Sequence, residues 1–376
     1  MSEILREHIG YLADAVKCER YQSAIERLVS PDHVVLDLGC GSGLLGLMAL
    51  RAGARKVLFV EEGQVIDIAR RAVAEAGFSD RAEFFQANSF ELELPEQVDL
   101  VVCDHVGYFG VDYGVLALLA DAQQRFLKPG GVLIPAEIEL QLAPVESTVC
   151  RELVSQWRDD EIPDEFGWVA NMAANTKHGV TLDTEDLLAN AEPLATLETS
   201  AETAPFLSWT VEFNCARTGL LDGVGGWFSC RLLEDIVMTN SPVADERLRR
   251  SQVFLPLEEP LAVSAGDDIR VTIMLRHLDS VIGWVIELPQ KGQRFSHNTF
   301  NGLLLDREAI ARTEPDRMAT LNAKGRARQL VLSYCDGQRT IAEVEALVQR
   351  EHPNLFPSGL AATSFIRTVV ARDTGK

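Results

Sequence analysis

The chain has 376 residues, 47% of them hydrophobic, with a formal net charge of −21 and a pI near 4.8. That length suggests two or three domains with real cores, and so acidic a chain repels a phosphate backbone, so no nucleic-acid partner is expected. Its seven cysteines, at 18, 40, 103, 150, 215, 230 and 335, include no Cys-x-x-Cys pair, which argues against a disulfide framework or metal site and for a reducing, cytoplasmic setting.

The charged opening Met1-Ser2-Glu3 has no apolar run behind it, so neither a signal peptide nor, anywhere in the chain, a membrane span is expected. Ile4, Ile9, Leu12 and Val16 fall at helical spacing, and residues 1–30 read as an amphipathic helix. Val34 to Leu38 is an apolar run interrupted by Asp37, and Gly39-Cys40-Gly41-Ser42-Gly43 follows it before the helical-looking 44–50. This reads as a buried strand turning tightly into a helix, with glycines that let a ligand approach the backbone. A dinucleotide site shares that logic, and so does an ordinary strand-to-helix turn.

The next strand, Lys56 to Val60, ends in Glu61, about twenty residues past the glycines, where a carboxylate is placed to accept from ribose hydroxyls. Val98 to Asp104 is a third buried strand, and Phe126 to Pro135 reads as a helix end, a Pro-Gly-Gly turn and a strand. Strands alternating with helices predict a parallel sheet, and the first domain is assigned to 1–137. From 138 the pattern alternates, as in 139–143, 208–213 and 270–275, which predicts antiparallel structure over 138–302. Phe166, Trp168 and Met172 lie in the 160–190 stretch and read either as an exposed interface or as tucked into the second domain. The run Arg247-Leu248-Arg249-Arg250 reads as a solvated face or loop. Residues 303–376 show a helix, an Asp336-Gly337 turn, a Thr340/Glu343 capping-box spacing, a second helix, and a third helix or strand at 365–370.

Asp37-Leu38-Gly39-Cys40-Gly41-Ser42-Gly43, Glu61, and Leu127-Lys128-Pro129-Gly130-Gly131 together resemble class I S-adenosylmethionine-dependent methyltransferases, with a dehydrogenase as the weaker competitor. The resemblance narrows at Cys103 to Tyr113, where Gly107-Tyr108-Phe109 matches the substrate loop of protein arginine methyltransferases. Gly53 to Val57, Leu94 to Asp99, 131–135, 253–261 and 266–269 also resemble that family. The resemblance implies a Rossmann-like domain followed by an antiparallel β-barrel-like domain with a dimerisation arm near 160–190, hence a homodimer. It implies S-adenosyl-L-methionine as cofactor, held by Lys17, Asp37, Gly39, Gly41, Gly43, Glu61, Asn88, Ser89 and Asp104. Asp104, His105, Tyr108 and Tyr113 would form the catalytic end, with His105 read either as a base or as a packing residue.

The chain departs from the family pattern in its substrate loop. The two glutamates that grip a guanidinium become Asp104 and Tyr113, with Asp112 adjacent, and Leu248-Arg249-Arg250-Ser251-Gln252 stands where a Thr-His-Trp loop belongs. Arginine-rich tails are therefore expected to be poor substrates. The tail resembles the small winged-helix domain of pyrroloquinoline-quinone biosynthesis, which holds a leader peptide; a plain helical cap is the other reading. These signals predict an N-methyltransferase acting on a nitrogen nucleophile of a specialised, ribosomally made peptide. A free amino acid or natural-product amine is the alternative acceptor, and a silent binding scaffold the alternative role.

Overall fold

The computed structural model describes residues 2–200, 203–277 and 279–375. Two helices open the chain, α1 (Ser2–Leu12) and α2 (Ala15–Leu28), in place of one. The break falls at Asp14, whose carboxylate accepts from Lys17 N at 3.2 Å and caps α2. Such a side chain satisfies a helix N-terminus better than it continues a helix. The expected apolar stripe divides with it. Ile9 and Leu12 are exposed on α1, whereas α2 buries Lys17, Tyr21, Ala24 and Ile25. The side chain of Ile4 lies outside the described residues.

A parallel sheet follows, from β1 (Val34–Leu38), α3 (Leu44–Arg51), β2 (Lys56–Glu61), α4 (Ile66–Glu75), β3 (Ala82–Gln86), β4 (Val98–Val102), α5 (Val115–Arg125) and β5 (Leu127–Ile134). The strand order is β3-β2-β1-β4-β5. Every residue of β1 is buried, as its near-continuous apolar run requires in a sheet covered on both faces. The Pro129-Gly130-Gly131 segment lies within β5 and does not precede it. Leu127 pairs with Val98 and Val132 with Leu100, so the segment is a bulge, and Lys128 reaches back to both oxygens of Asp99 at 2.9 and 2.8 Å.

The second half contains β6 (Glu137–Val145), α6 (Thr148–Ser155), α7 (Val169–Ala174), β7 (His178–Val180), β8 (Glu192–Glu198), β9 (Leu207–Asn214), β10 (Gly219–Leu233), β11 (Ile236–Thr239), β12 (Gln252–Val263), β13 (Asp268–Arg276), β14 (Val281–Leu288) and β15 (Gln293–Asn298). It builds two antiparallel sheets, β7-β12-β10-β6-β8 with β11 on β10, and β15-β14-β13-β9. Alternation along β13 buries Ile269, Val271, Ile273 and Leu275. Trp227 and Trp284 are fully buried, each donating its indole N–H at 2.8 Å, to Gln141 and to the Pro256 carbonyl. One core of buried side chains runs from the parallel sheet into both antiparallel sheets. In the 160–190 stretch Phe166 and Trp168 are exposed, whereas Ala170, Ala173 and Ala174 are buried.

One compact unit ends at Leu303 and a second begins at Leu304. The second holds α8 (Arg307–Ala311), and α9 (Ala323–Ser333), α10 (Ile341–Glu351) and α11 (Gly359–Asp373) pack around Val331, Val344, Val348, Ala362, Ile366 and Val369. Thr340 and Glu343 make both halves of a capping box at the start of α10. Residues 365–370 are helical, and no strand occurs among the described residues of this unit, so it lacks the wing that the winged-helix expectation includes.

Candidate active site

Open parallel sheets bind ligands at the carboxyl ends of their strands, where the strand order reverses. Here β1 lies between β2 and β4, and the loops after all three strands line one cavity of about 530 Å³. Its wall includes Asp37, Gly39, Gly41 and Glu61 at one end and Lys17, Asp104, His105, Tyr108 and Tyr113 at the other. Gly39 and Gly41 have φ of +67° and +51°, a backbone region that side chains rarely adopt. A Cβ on Gly41 would come within 2.8 Å of His8. Gly43 serves packing instead: its Cβ would strike Ala69 of α4 at 2.7 Å.

Glu61 braces the glycine loop, accepting from Gly41 N at 3.0 Å and Gly63 N at 2.8 Å. A carboxylate offers about four acceptor positions, so capacity remains for ribose hydroxyls. Asn88 and Ser89 are not part of the cavity wall. Asn88 caps a short turn by accepting from Phe90 N, and the Ser89 carbonyl accepts from Arg125.

Asp37 is buried behind the glycine loop and accepts from Gly46 N at 2.7 Å. Burial pushes its carboxyl up to about 7, against the pull of the Gly46 N–H. A carboxyl held above its ordinary value binds its proton more tightly folded than unfolded, so folding stability falls as pH rises from about 4 to about 7. Asp37→Asn keeps an acceptor for Gly46 and removes this slope. The variant is expected to gain roughly 2–4 kcal/mol on wild type between pH 4 and pH 8. Parallel denaturant titrations at the two pH values check it, and equal slopes for both proteins would disprove it.

Cys40 and Cys103 are buried, and burial raises both thiols, Cys103 to about 12, which makes them inert packing residues. His105 packs beside Tyr113 with ring centroids 5.2 Å apart, and burial holds its pKa below the usual imidazole value.

The other end of the cavity centres on Asp104. Arg250 reaches both its oxygens, at 3.2 and 2.9 Å, and Lys17 Nζ lies 3.2 Å from Oδ2. Burial alone would raise the Asp104 carboxyl, but Arg250 and Lys17 outweigh it and hold the group ionised. The run 247–250 is a loop, one of its two expected readings, but Arg250 is only 10% exposed, so the solvated-face reading fails at this residue. Asp112, the other carboxylate of the loop, faces inward. It accepts from Tyr108 N and Phe109 N at 2.9 and 2.7 Å and pairs with Lys177. Tyr113 takes the cavity position next to it, in a left-handed conformation with φ of 56°. The antiparallel half fixes this loop: Asn240, fully buried, donates to the carbonyls of Tyr108 and Ser251 at 2.9 and 2.6 Å.

Sequence reasoning missed His8 and Tyr11 of α1, which line the cavity, and the positioning role of Asn240. Asp14 was the available signal for the first two. Besides capping α2 it accepts from Arg249 N at 2.9 Å, tying the N-terminal helices to the 247–251 segment.

Residues 35–131 match a family model described as a methyltransferase domain. Protein arginine N-methyltransferase 1 of Schizosaccharomyces pombe is 30% identical over 288 residues, covering 71% of this chain and 80% of the relative. The chain belongs to the protein arginine N-methyltransferase family. Protein arginine N-methyltransferase 6 of Xenopus laevis is 27% identical over 302 residues, covering 74% of this chain and 88% of that one. Among solved structures, the Trypanosoma brucei PRMT1 enzyme–prozyme heterotetrameric complex with AdoHcy aligns with a TM-score of 0.69 at 20% identity, covering 77% of this chain and 96% of that one. Arabidopsis thaliana protein arginine methyltransferase 10 aligns with a TM-score of 0.65 at 21% identity, covering 78% and 96%. The protein is thus an S-adenosylmethionine-dependent methyltransferase with the fold of this family.

The cavity fits that cofactor. Gly39 and Gly41 leave the space a Cβ would fill, Glu61 has acceptor capacity for hydroxyls, and Lys17 supplies a cation for a carboxylate.

Proposed function

We propose that this methyltransferase modifies a nitrogen nucleophile on a specialised, ribosomally made peptide. The observation that carries the reading is the loop at the acceptor end: one carboxylate, Asp104, faces the cavity, while Asp112 is spent inside the loop. A single carboxylate is enough to accept an N–H and orient a nitrogen lone pair, whereas bidentate capture of a guanidinium by two carboxylates is lost. The cofactor supplies an electrophilic methyl group on a sulfonium. The protein's part is then mainly positioning: Glu61 and the glycine loop fix one partner, and Asp104 with Tyr108 orients the other.

The relatives carry arginine methyltransferase names, so an arginine peptide is the first comparison acceptor. Peptide holding is assigned to the unit from Leu304 on, where a groove between α9 and α11 is lined by Lys324, Arg328, Phe365 and Arg372. A docked peptide raises the effective concentration of its acceptor segment. Homodimerisation through the 160–190 arm, with Phe166 and Trp168 exposed, belongs to the same reading.

The test compares the full chain with a variant lacking 304–376. Both are expected to sediment as dimers and to bind S-adenosylhomocysteine, because each unit has its own core. With tritiated S-adenosylmethionine, the truncation should lose rate on a leader-bearing precursor peptide and keep its rate on the short acceptor fragment. Equal losses on both substrates would defeat the peptide-holding role.

A further inference from the structure

We propose that Arg250 sets the acceptor class of this methyltransferase. It neutralises the Asp104 carboxylate from within the chain, leaves about one acceptor position there for a neutral N–H, excludes guanidinium and other cationic acceptors, and leaves the site to an acceptor with a carboxylate beside its nucleophile. The inference rests on the methyl-transfer reading of the cavity and names the substrate chemistry that this cavity takes.

The geometry is that of a filled cation site. The Arg250 guanidinium contacts both Asp104 oxygens and donates to the Gly107 carbonyl at 3.2 Å. Its carbon lies 5.7 Å from the Tyr11 ring and 6.0 Å from the Phe228 ring, so aromatic faces hold it as well. Lys17 pairs with the same carboxylate from the opposite element, α2, and is itself buried. Two buried cations therefore share one carboxylate. The only other carboxylate of the loop, Asp112, is buried and paired with Lys177. Arg249 adds a third cation on the cavity wall, exposed and with no ion pair among the described residues.

The carboxylates that could offset this charge are engaged at the far end. Glu61 is bound to the glycine-loop amides, and Asp37 is buried against Gly46. His105 lies at the acceptor end, and burial holds its pKa below the usual imidazole value, which disfavours its charged form. A cationic acceptor entering here would meet net like charge and find its counter-ion taken, an arrangement that rejects as much as it selects. An acceptor bearing a carboxylate would meet Arg249 and Arg250 instead, the side chains best suited to planar anions.

The test uses the full chain saturated with S-adenosylhomocysteine and calorimetric titration with two synthetic peptides of equal length, one with arginines in a glycine-serine background and one with glutamates. Wild type is expected to bind the glutamate peptide about tenfold or more tightly than the arginine peptide. Arg250→Ala should release Asp104, raise affinity for the arginine peptide by about tenfold and weaken the glutamate peptide. Arg250→Gln, which keeps a donor toward Asp104, stands in if the alanine variant does not hold S-adenosylhomocysteine. A wild-type preference for the arginine peptide, no measurable preference, or a preference unchanged by the substitutions would overturn the proposal. So would loss of S-adenosylhomocysteine binding in both variants, since Arg250 would then be a structural brace. Failure of wild type itself to bind S-adenosylhomocysteine would instead sink the methyl-transfer reading.

Discussion

Gly41→Val is expected to abolish binding of S-adenosylhomocysteine while leaving the fold intact. Gly41 has a φ of +51°, where a β-branched residue costs about 1–3 kcal/mol of backbone strain. Its first side-chain carbon would also fall 2.8 Å from His8, so the valine either displaces that ring or fills the cavity where the cofactor's backbone approach is needed. The partner substitution is graded rather than absolute. Glu61→Ala removes an acceptor from Gly41 N and Gly63 N and the carboxylate that would receive ribose hydroxyls. A lost hydrogen bond to a charged acceptor is worth about 1.5–3 kcal/mol, so affinity should fall by about 10- to 100-fold. Calorimetry on both variants, with circular dichroism as the fold control, checks the pair. Wild-type affinity in either would remove that residue from the cofactor site.

The cofactor end was readable in the sequence because its signals are local. A continuously apolar strand, glycines at alternate positions and a carboxylate at the end of the next strand each follow from short-range geometry. The same holds for Thr340 and Glu343, whose capping box spans one helical turn. The acceptor end was less readable because its contacts are not local. Arg250 and Asp104 are 146 residues apart, and nothing in the run Arg247 to Arg250 marks one of its arginines as buried. Neighbouring residues also exchange roles. The family resemblance placed Asp112 and Tyr113 together at the second carboxylate of the loop, but only the fold shows that Asp112 turns inward to the amides while Tyr113 lines the cavity. The single long helix expected for residues 1–30 failed for a readable reason, an aspartate at position 14 that satisfies a new helix start. That miss concealed Tyr11, which the break sets over Lys17 and Arg250, with its ring 5.1 Å from the lysine nitrogen.

Asp104→Asn is expected to reduce both stability and turnover, and the two losses have separable causes. The substitution preserves shape and leaves an acceptor oxygen, but it strips the counter-charge from Lys17 and Arg250, which are 5% and 10% exposed. Removing one partner of a buried ion pair typically costs about 3–5 kcal/mol, and the partial exposure of Asp104 places the expected value near the lower end. The loss should depend on pH in a definite direction. The folded-state carboxyl lies below its ordinary value of 3.8, so its contribution is present above about that pH and disappears as the pH falls through the folded pKa. Wild type and variant should therefore differ most near neutrality and converge in acid. Adding Lys17→Met to Asp104→Asn removes one of the stranded cations and should recover part of the stability, a non-additive rescue expected of residues in direct contact. It should not recover turnover if, as proposed, this carboxylate orients the acceptor nitrogen. Melting temperatures of the single and double variants across pH, read beside single-turnover methyl transfer to the native acceptor, distinguish the two causes. Asp104→Asn with wild-type stability and a wild-type rate would show that this carboxylate neither balances the buried cations nor handles the acceptor.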